Sequence, residues 1–478
     1  MLFNSLQYLI FFSLVVAVYY SISNRYRWPF LLAASYYFYM CWKIEYVLLI
    51  IASTLIAYAA GILLEKHRVS NSGKGIVVAA VLSNLGILFI FKYYNFFNDS
   101  LRVVLGGFDI FYGAPALKLL LPVGISFYTF QVVSYLVDVY KGRIKAERHF
   151  GYFAVFVSFF PKLVAGPIER AGNLLPQFRE ELEFDYRRTT DGLKLIAWGL
   201  FKKMVIADRL TVYVDQIYNN PAYYSGAPVI LATVFFAFQI YCDFSGYSDI
   251  AIGSGQVLGF RLMNNFDRPY SAKSVTEFWR HWHISLSTWL TDYIYTPITI
   301  RCRDWGIPAI IFSLFVTFLA CGLWHGASWT FIIWGLLHGF MLSLDVITKK
   351  RRKKFRKMVP AFLYDNISKV LTFSFVCFTY VFFRANSVSD AFLIINNMFL
   401  VDFSNLNIEV TFMSRTELVV AFFSIAILEA VQFVQGKINV REYIAEKPLL
   451  FRWAIYIAFT SYILFFKTSG AQFIYFQF

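Results

Sequence analysis

Apolar runs recur along the chain at about 6–20, 29–42, 46–64, 75–92 and 118–137, most of them near the roughly 20 residues that a helix needs to cross a bilayer. Basic clusters separate them: Arg25-Tyr26-Arg27, Glu65-Lys66-His67-Arg68 and Lys141-Gly142-Arg143-Ile144-Lys145. With basic loops in the cytoplasm, the chain starts outside and returns inside near 25, 66 and 143. The stretch 95–107, poor in basic residues, then falls outside. Residues 6–20 lack a basic leader and a small-residue cleavage site, which predicts a retained first span rather than a removed signal peptide.

The middle of the chain has a different rhythm. Segments 152–170, 190–207, 228–260 and 274–300 are apolar but interrupted by Pro, Gly and charges. They read as re-entrant or interfacial pieces. Irregular backbone at membrane depth is tolerated only where it is buried in protein or lines a cavity. Residues 120–340 are therefore expected to surround a cavity that crosses the bilayer.

Clean spans resume at about 308–323, 328–346, 366–384, 416–434 and 450–467. Between the second and third lies Lys349-Lys350-Arg351-Arg352-Lys353-Lys354-Phe355-Arg356-Lys357, with eight basic residues in nine. That run belongs in the cytoplasm, where it also meets anionic lipid. The last eleven residues then lie outside. The expected fold is an all-α polytopic membrane protein with roughly ten to eleven transmembrane helices, plus re-entrant or interfacial helices around the cavity. It forms a single integral-membrane domain over 1–478: N-terminal spans to 140, a catalytic core over 141–346, then C-terminal spans and an aromatic tail.

Composition narrows the function. The 478 residues are 58% hydrophobic and 15% charged, which excludes a soluble globule. The net charge of +15 sits in short loops between apolar runs, so it marks topology and not nucleic-acid binding. The five cysteines (Cys41, Cys242, Cys302, Cys321 and Cys377) are scattered and suggest neither a disulfide framework nor a metal site.

Four polar islands interrupt the apolar sequence. The first is Leu121-Pro122-Val123-Gly124-Ile125-Ser126-Phe127-Tyr128-Thr129-Phe130-Gln131, with Asp138 beyond it; the second runs from Phe159-Phe160-Pro161-Lys162 to Glu169-Arg170. The third, Gln239-Ile240-Tyr241-Cys242-Asp243-Phe244-Ser245-Gly246-Tyr247-Ser248-Asp249, carries Asp243 and Ser245. The fourth, Thr276-Glu277-Phe278-Trp279-Arg280-His281-Trp282-His283, continues to Trp289 and Asp292. On one helix Glu277, Arg280 and His281 share a face, so Arg280 is placed to pair with Glu277. This aromatic, basic shelf is either an interfacial anchor or a seat for the phosphates of a nucleotide-bearing donor. His281 and His283 fall on different faces with no carboxylate at ligand spacing, so zinc is not expected. Ser245 lacks the first glycine of a serine-hydrolase elbow, and phosphate-loop and dinucleotide fingerprints are absent from the sequence.

The stretch Cys321-Gly322-Leu323-Trp324-His325-Gly326-Ala327-Ser328-Trp329, continuing to His338-Gly339, is denser still, with two histidines and three tryptophans in an apolar setting. An ionisable group at membrane depth is a functional candidate by default. His325 is either a general base toward a hydroxyl or a hydrogen-bonder to a neighbouring helix. On one continuous helix His338 falls about 220° from His325, so the two are not expected to share a face.

Together these blocks resemble the bacterial membrane-bound O-acyltransferases, in particular the branch of alginate and peptidoglycan O-acetyltransferase membrane subunits. The likeness is densest at 121–140, 243–249, 265–269, 277–297 and 323–339. It implies that His325, in Leu323-Trp324-His325-Gly326-Ala327, is the essential histidine. The block 277–283 is similar to the second signature, with His281 where the family often carries arginine. The chain departs from the family at Thr299-Ile300-Arg301-Cys302-Arg303, where a glycine-rich segment is usual. The resemblance implies acetyl-CoA as donor, no metal, an extracytoplasmic polysaccharide as acceptor and a separate acetyl-accepting partner outside a bacterial inner membrane. Glu277, Trp279, Arg280, His281, His283, Asp292, Trp324, His338, Asp243 and Ser245 are expected around the donor cavity. Alternative activities are D-alanyl transfer to teichoic acid, or transport of an acyl group or lipid-linked sugar with the histidine as proton relay. The tail Phe473-Ile474-Tyr475-Phe476-Gln477-Phe478 is either a buried anchor or, through the Tyr475 hydroxyl, a transient acetyl carrier activated by His325.

Overall fold

The computed structural model describes residues 1–402, 408–468 and 473–474. Among these the extended elements are all helices, with one isolated bridge between Val410 and Met413. Among the described residues, eight helices are long and apolar enough to cross a membrane: Ile44–His67, Asn71–Gly106, Ala227–Val257, Ile307–His325, Trp329–Arg356, Ala361–Arg384, Arg415–Gln435 and Leu449–Phe466. The expected ten to eleven included the runs at 6–20, 29–42 and 118–137. Those fold as Leu6–Ser21, Asn24–Met40 and Ile125–Tyr140, of 16, 17 and 16 residues, which is short of a full apolar span. Large apolar side chains point outward from the spans, with Leu450 86% and Phe465 83% exposed. Such a surface is stable only where the solvent is lipid.

The chain divides into two compact units. The first comprises Met1–Gly192 with Ala251–Met263. Its apolar interior is tied by long-range polar contacts: Tyr8 and Ser254 hydroxyls lie 2.7 Å apart, and the Tyr135 hydroxyl accepts the Glu147 N–H at 3.0 Å. The first two polar islands meet here. Lys162, fully buried, donates to the Gln131 carbonyl and lies over the Phe156 ring at 4.9 Å. The segment 152–170 is broken as its Pro and Gly residues predict: Phe150–Ser158 and Phe160–Leu163 are followed by irregular chain up to the short helix Ala171–Leu174.

The second unit comprises Leu193–Ile250 with Asn264–Phe478. The segment 274–300 is fragmented as expected, into Val275–His281, Ile284–Leu290, a π turn at Thr291–Tyr295 and Thr296–Arg301. The segment 228–260 is not. It forms most of the unbroken 31-residue helix Ala227–Val257 despite Asp243, Asp249 and three glycines. The charges do not break it because each finds a cation: Asp243 lies 2.7 Å from Lys203 Nζ and Asp249 lies 2.7 Å from Lys202 Nζ.

Candidate active site

The histidine-rich stretch folds as a tight helical hairpin. Ile307–His325 ends at Gly326, whose extended backbone leads through Ser328 into Trp329–Arg356. Ser328 caps the second helix by accepting the Thr330 N–H at 3.3 Å. Glycines set the closeness of the two helices. A Cβ at Gly322 would stand 2.3 Å from the Phe331 carbonyl oxygen, and one at Gly335 would stand 2.3 Å from that of Phe318. Small residues facing each other let transmembrane backbones pack in contact. A Cβ at Gly326 would stand 2.1 Å from the Phe331 ring, which fills the space that the missing side chain leaves.

The hairpin buries His325, 1% exposed, at the end of its helix. Its ring meets Trp324, Trp334 and Phe383 edge to face, with centroids at 4.9, 4.9 and 5.3 Å. The reversal also overturns the single-helix estimate for His338. His325 and His338 sit on different helices, and Trp334 touches both, at 4.9 Å from each.

His338 has its ring nitrogens engaged. The Trp279 indole N–H donates to Nδ1 at 3.2 Å, and Nε2 faces the Thr379 hydroxyl at 3.1 Å. Because an indole only donates, Nδ1 is the acceptor and Nε2 carries the hydrogen. The Thr379 hydroxyl in turn donates to the Val376 carbonyl at 2.8 Å. His338 thus acts as a neutral link between three helices.

His283 is the second buried imidazole near His325. It takes a left-handed backbone (φ 42°) at the break between two short helices. Its Nδ1 lies 3.0 Å from Asn265 Oδ1, which also accepts from the Ser285 hydroxyl at 2.9 Å, while the Asn265 amide donates to Ser248 at 3.0 Å. The Asn265 oxygen accepts, so Nδ1 holds the proton and Nε2 keeps its lone pair. Burial pushes its pKa down to about 3. Its ring lies 4.6 Å from Phe244 and 5.6 Å from Trp324. Trp324 therefore bridges His283 and His325.

The remaining expected site residues divide. Trp279 and Trp324 are in this buried cluster. Glu277 does not pair with Arg280: its carboxylate accepts the Lys273 N–H at 2.8 Å, helping to cap its own helix, and Arg280 is exposed. His281 donates from Nδ1 to the Asp267 carbonyl at 2.6 Å, away from His283. Asp292 lies exposed on the π turn. Ser245 is bound rather than poised, accepting from Lys202 Nζ at 2.9 Å. Asp243 is buried against Lys203 and accepts the Ile474 N–H at 2.8 Å. Tyr475 lies outside the described residues. Among the described residues, no group of three or more His, Cys, Asp or Glu is placed to hold a metal.

Sequence reading missed Asn265, Trp334, Thr379 and Lys203. Asn265 stands 18 positions from His283 and Thr379 stands 41 from His338, so no local spacing joins them. A buried lysine at 203 was hinted at by Lys202-Lys203 inside an apolar run.

The fold and this site define a multi-pass helical membrane protein with imidazoles held in a buried aromatic core. The family model of the membrane-bound O-acyltransferases matches residues 145–389, and the chain belongs to that family. It is 38% identical to the probable alginate O-acetylase AlgI of Pseudomonas aeruginosa, over 84% of this chain and 75% of the relative. It is 34% identical to the peptidoglycan O-acetyltransferase of Helicobacter pylori, over 77% and 73%. Its likeness to the teichoic acid D-alanyltransferase of Bacillus subtilis is lower, at 28% over 54% and 68%. The chain is thus a membrane O-acyltransferase.

Proposed function

We propose that this enzyme moves acetyl from cytoplasmic acetyl-CoA, through a cavity crossing the bacterial inner membrane, to a polysaccharide outside, either peptidoglycan or an alginate-like exopolymer. The O-acetylating relatives support acetyl as the group and polysaccharide as the acceptor: they are more alike in sequence and align over more of the chain than the D-alanyltransferase. The observation that carries the reading is the pair of imidazoles, His283 and His325, both packed against Trp324 in the buried core. In this reading His325 is the general base. It takes the proton of an attacking hydroxyl, the alkoxide or phenolate displaces coenzyme A from the thioester, and the imidazolium returns the proton to the leaving thiolate.

The attacking hydroxyl is assigned to Tyr475. Its acetyl ester is activated, since a phenol leaves with a pKa near 10, and it passes acetyl to a hydroxyl of a separate extracytoplasmic partner or polymer. Burial of Phe473 and Ile474 shows that the two residues before it are packed into protein.

The test supplies acetyl-CoA labelled in the acetyl group to the cytoplasmic face of membranes containing the protein. Label should pass to acceptor outside with release of free coenzyme A. Dependence on a carrier-protein thioester would replace the donor. Passage of substrate without thioester cleavage would make the protein a transporter.

A further inference from the structure

Phe473 and Ile474 are 0% and 3% exposed. The Ile474 N–H donates to Asp243 Oδ2 at 2.8 Å, and the Phe473 ring lies 4.2 Å from that of Tyr247 and 6.1 Å from that of Phe244. Further back, the N–H and hydroxyl of Thr468 both donate to the Met204 carbonyl, at 2.9 and 3.1 Å.

Beneath this contact lies a buried ion cluster. Lys203 Nζ lies 2.7 Å from Asp243 Oδ1 and 2.7 Å from Asp208 Oδ1, and all three side chains are nearly fully buried. One ammonium thus serves two carboxylates. A buried carboxylate sharing its cation needs further donors, and a main-chain N–H meets that need through a charge-assisted hydrogen bond. Tyr247 and Asp243 are one turn apart on Ala227–Val257, so the ring and the oxygen that grip the tail share a helix face. Phe244, the third wall, also packs on His283, which leads through Trp324 to His325.

We propose that Asp243, oriented by Lys203 and Asp208, is a positioning residue that docks the chain at Phe473–Ile474, where Phe244 packs on both Phe473 and His283. It holds the tail by its backbone, while the Tyr247–Phe244 wall selects an aromatic side chain at position 473. The docking stands on these contacts alone; its use in delivering the Tyr475 hydroxyl rests on the function proposed above.

The test is hydrogen–deuterium exchange at the Ile474 amide of the full-length protein in detergent. Two triple variants neutralise the charge network equally, Lys203→Met with Asp208→Asn and either Asp243→Asn or Asp243→Leu. They differ in whether an oxygen faces Ile474. The Asn variant should keep the amide protected, and the Leu variant should exchange roughly tenfold faster or more. Equal protection in the two, with both eluting as the wild type does, would overturn the proposal. Phe473→Ala provides an arm that leaves the charges untouched. It should also speed exchange at Ile474, and unchanged protection would count against the docking wall. Acetyl transfer is read in parallel. A released tail with undiminished transfer would leave the docking standing and remove Tyr475 from the chemistry.

Discussion

His325 and Trp334 meet edge to face, with centroids 4.9 Å apart and ring planes at 82°. Nine positions on one straight helix would put them on opposite faces. The reversal at Gly326–Ser328 brings them together, and the glycine contacts between the two helices fix the distance.

That dependence predicts the outcome of filling the hairpin. Gly335→Ala places a methyl 2.3 Å from the rigid Phe318 carbonyl. The helices must separate, at a cost of about 1–3 kcal/mol, and His325 moves relative to Trp334. Thermal unfolding in detergent should show the loss. Gly75→Ala, with nothing within 4 Å of its Cβ position, is the control expected to leave the melting temperature unchanged.

His338 is assigned a structural role by its two hydrogen bonds. His338→Gln retains an acceptor for Trp279 and a donor for Thr379, so it should keep most stability and activity. His338→Phe leaves the Trp279 indole N–H buried without its acceptor, while Thr379 keeps its bond to the Val376 carbonyl, and should cost about 1–3 kcal/mol. A Gln variant that folds normally but has lost transfer would move His338 into the chemistry.

Asn265 holds the His283 ring by its Nδ1–H. Asn265→Ala should lower the transfer rate by roughly ten- to hundredfold while the protein remains folded, because a mis-set imidazole loses both tautomer and orientation. Unchanged turnover in a folded Asn265→Ala protein would show that His283 needs no such support.

The buried state of His283 also has a pH signature. Its imidazole titrates near 6.5 in the unfolded chain and at about 3 when folded. Below pH 6.5 the unfolded chain binds a proton that the folded protein refuses, so this group lowers stability as pH falls and has no effect above 6.5. At pH 5 the loss is about 2 kcal/mol. His283→Gln should therefore flatten the decline in melting temperature between pH 7.5 and pH 5; an unaltered decline would contradict the assignment.

Much of the architecture was legible because length and apolarity are local properties. The spans at 308–323 and 328–346 correspond to Ile307–His325 and Trp329–Arg356, and the gap left between them contains Gly326, where the first helix ends. The fragmentation of 274–300 was equally plain. The helix Ala227–Val257 was not, because Asp243 and Asp249 read as breaks until Lys203 and Lys202, some forty positions earlier, neutralise them. The same limit applies to the site. His325, His283 and Trp324 announced themselves as polar or aromatic residues in apolar surroundings. The role of His338 depended on Trp279 and Thr379, which only folding brings to its ring.

The central claim is that His325 is the base that starts acetyl transfer. The most direct measurement is release of coenzyme A from acetyl-CoA by purified wild type and His325→Ala, with folding of each confirmed by its melting temperature. The account predicts a folded variant whose turnover falls by at least about two decades. A folded His325→Ala protein that retains most of its turnover would contradict it.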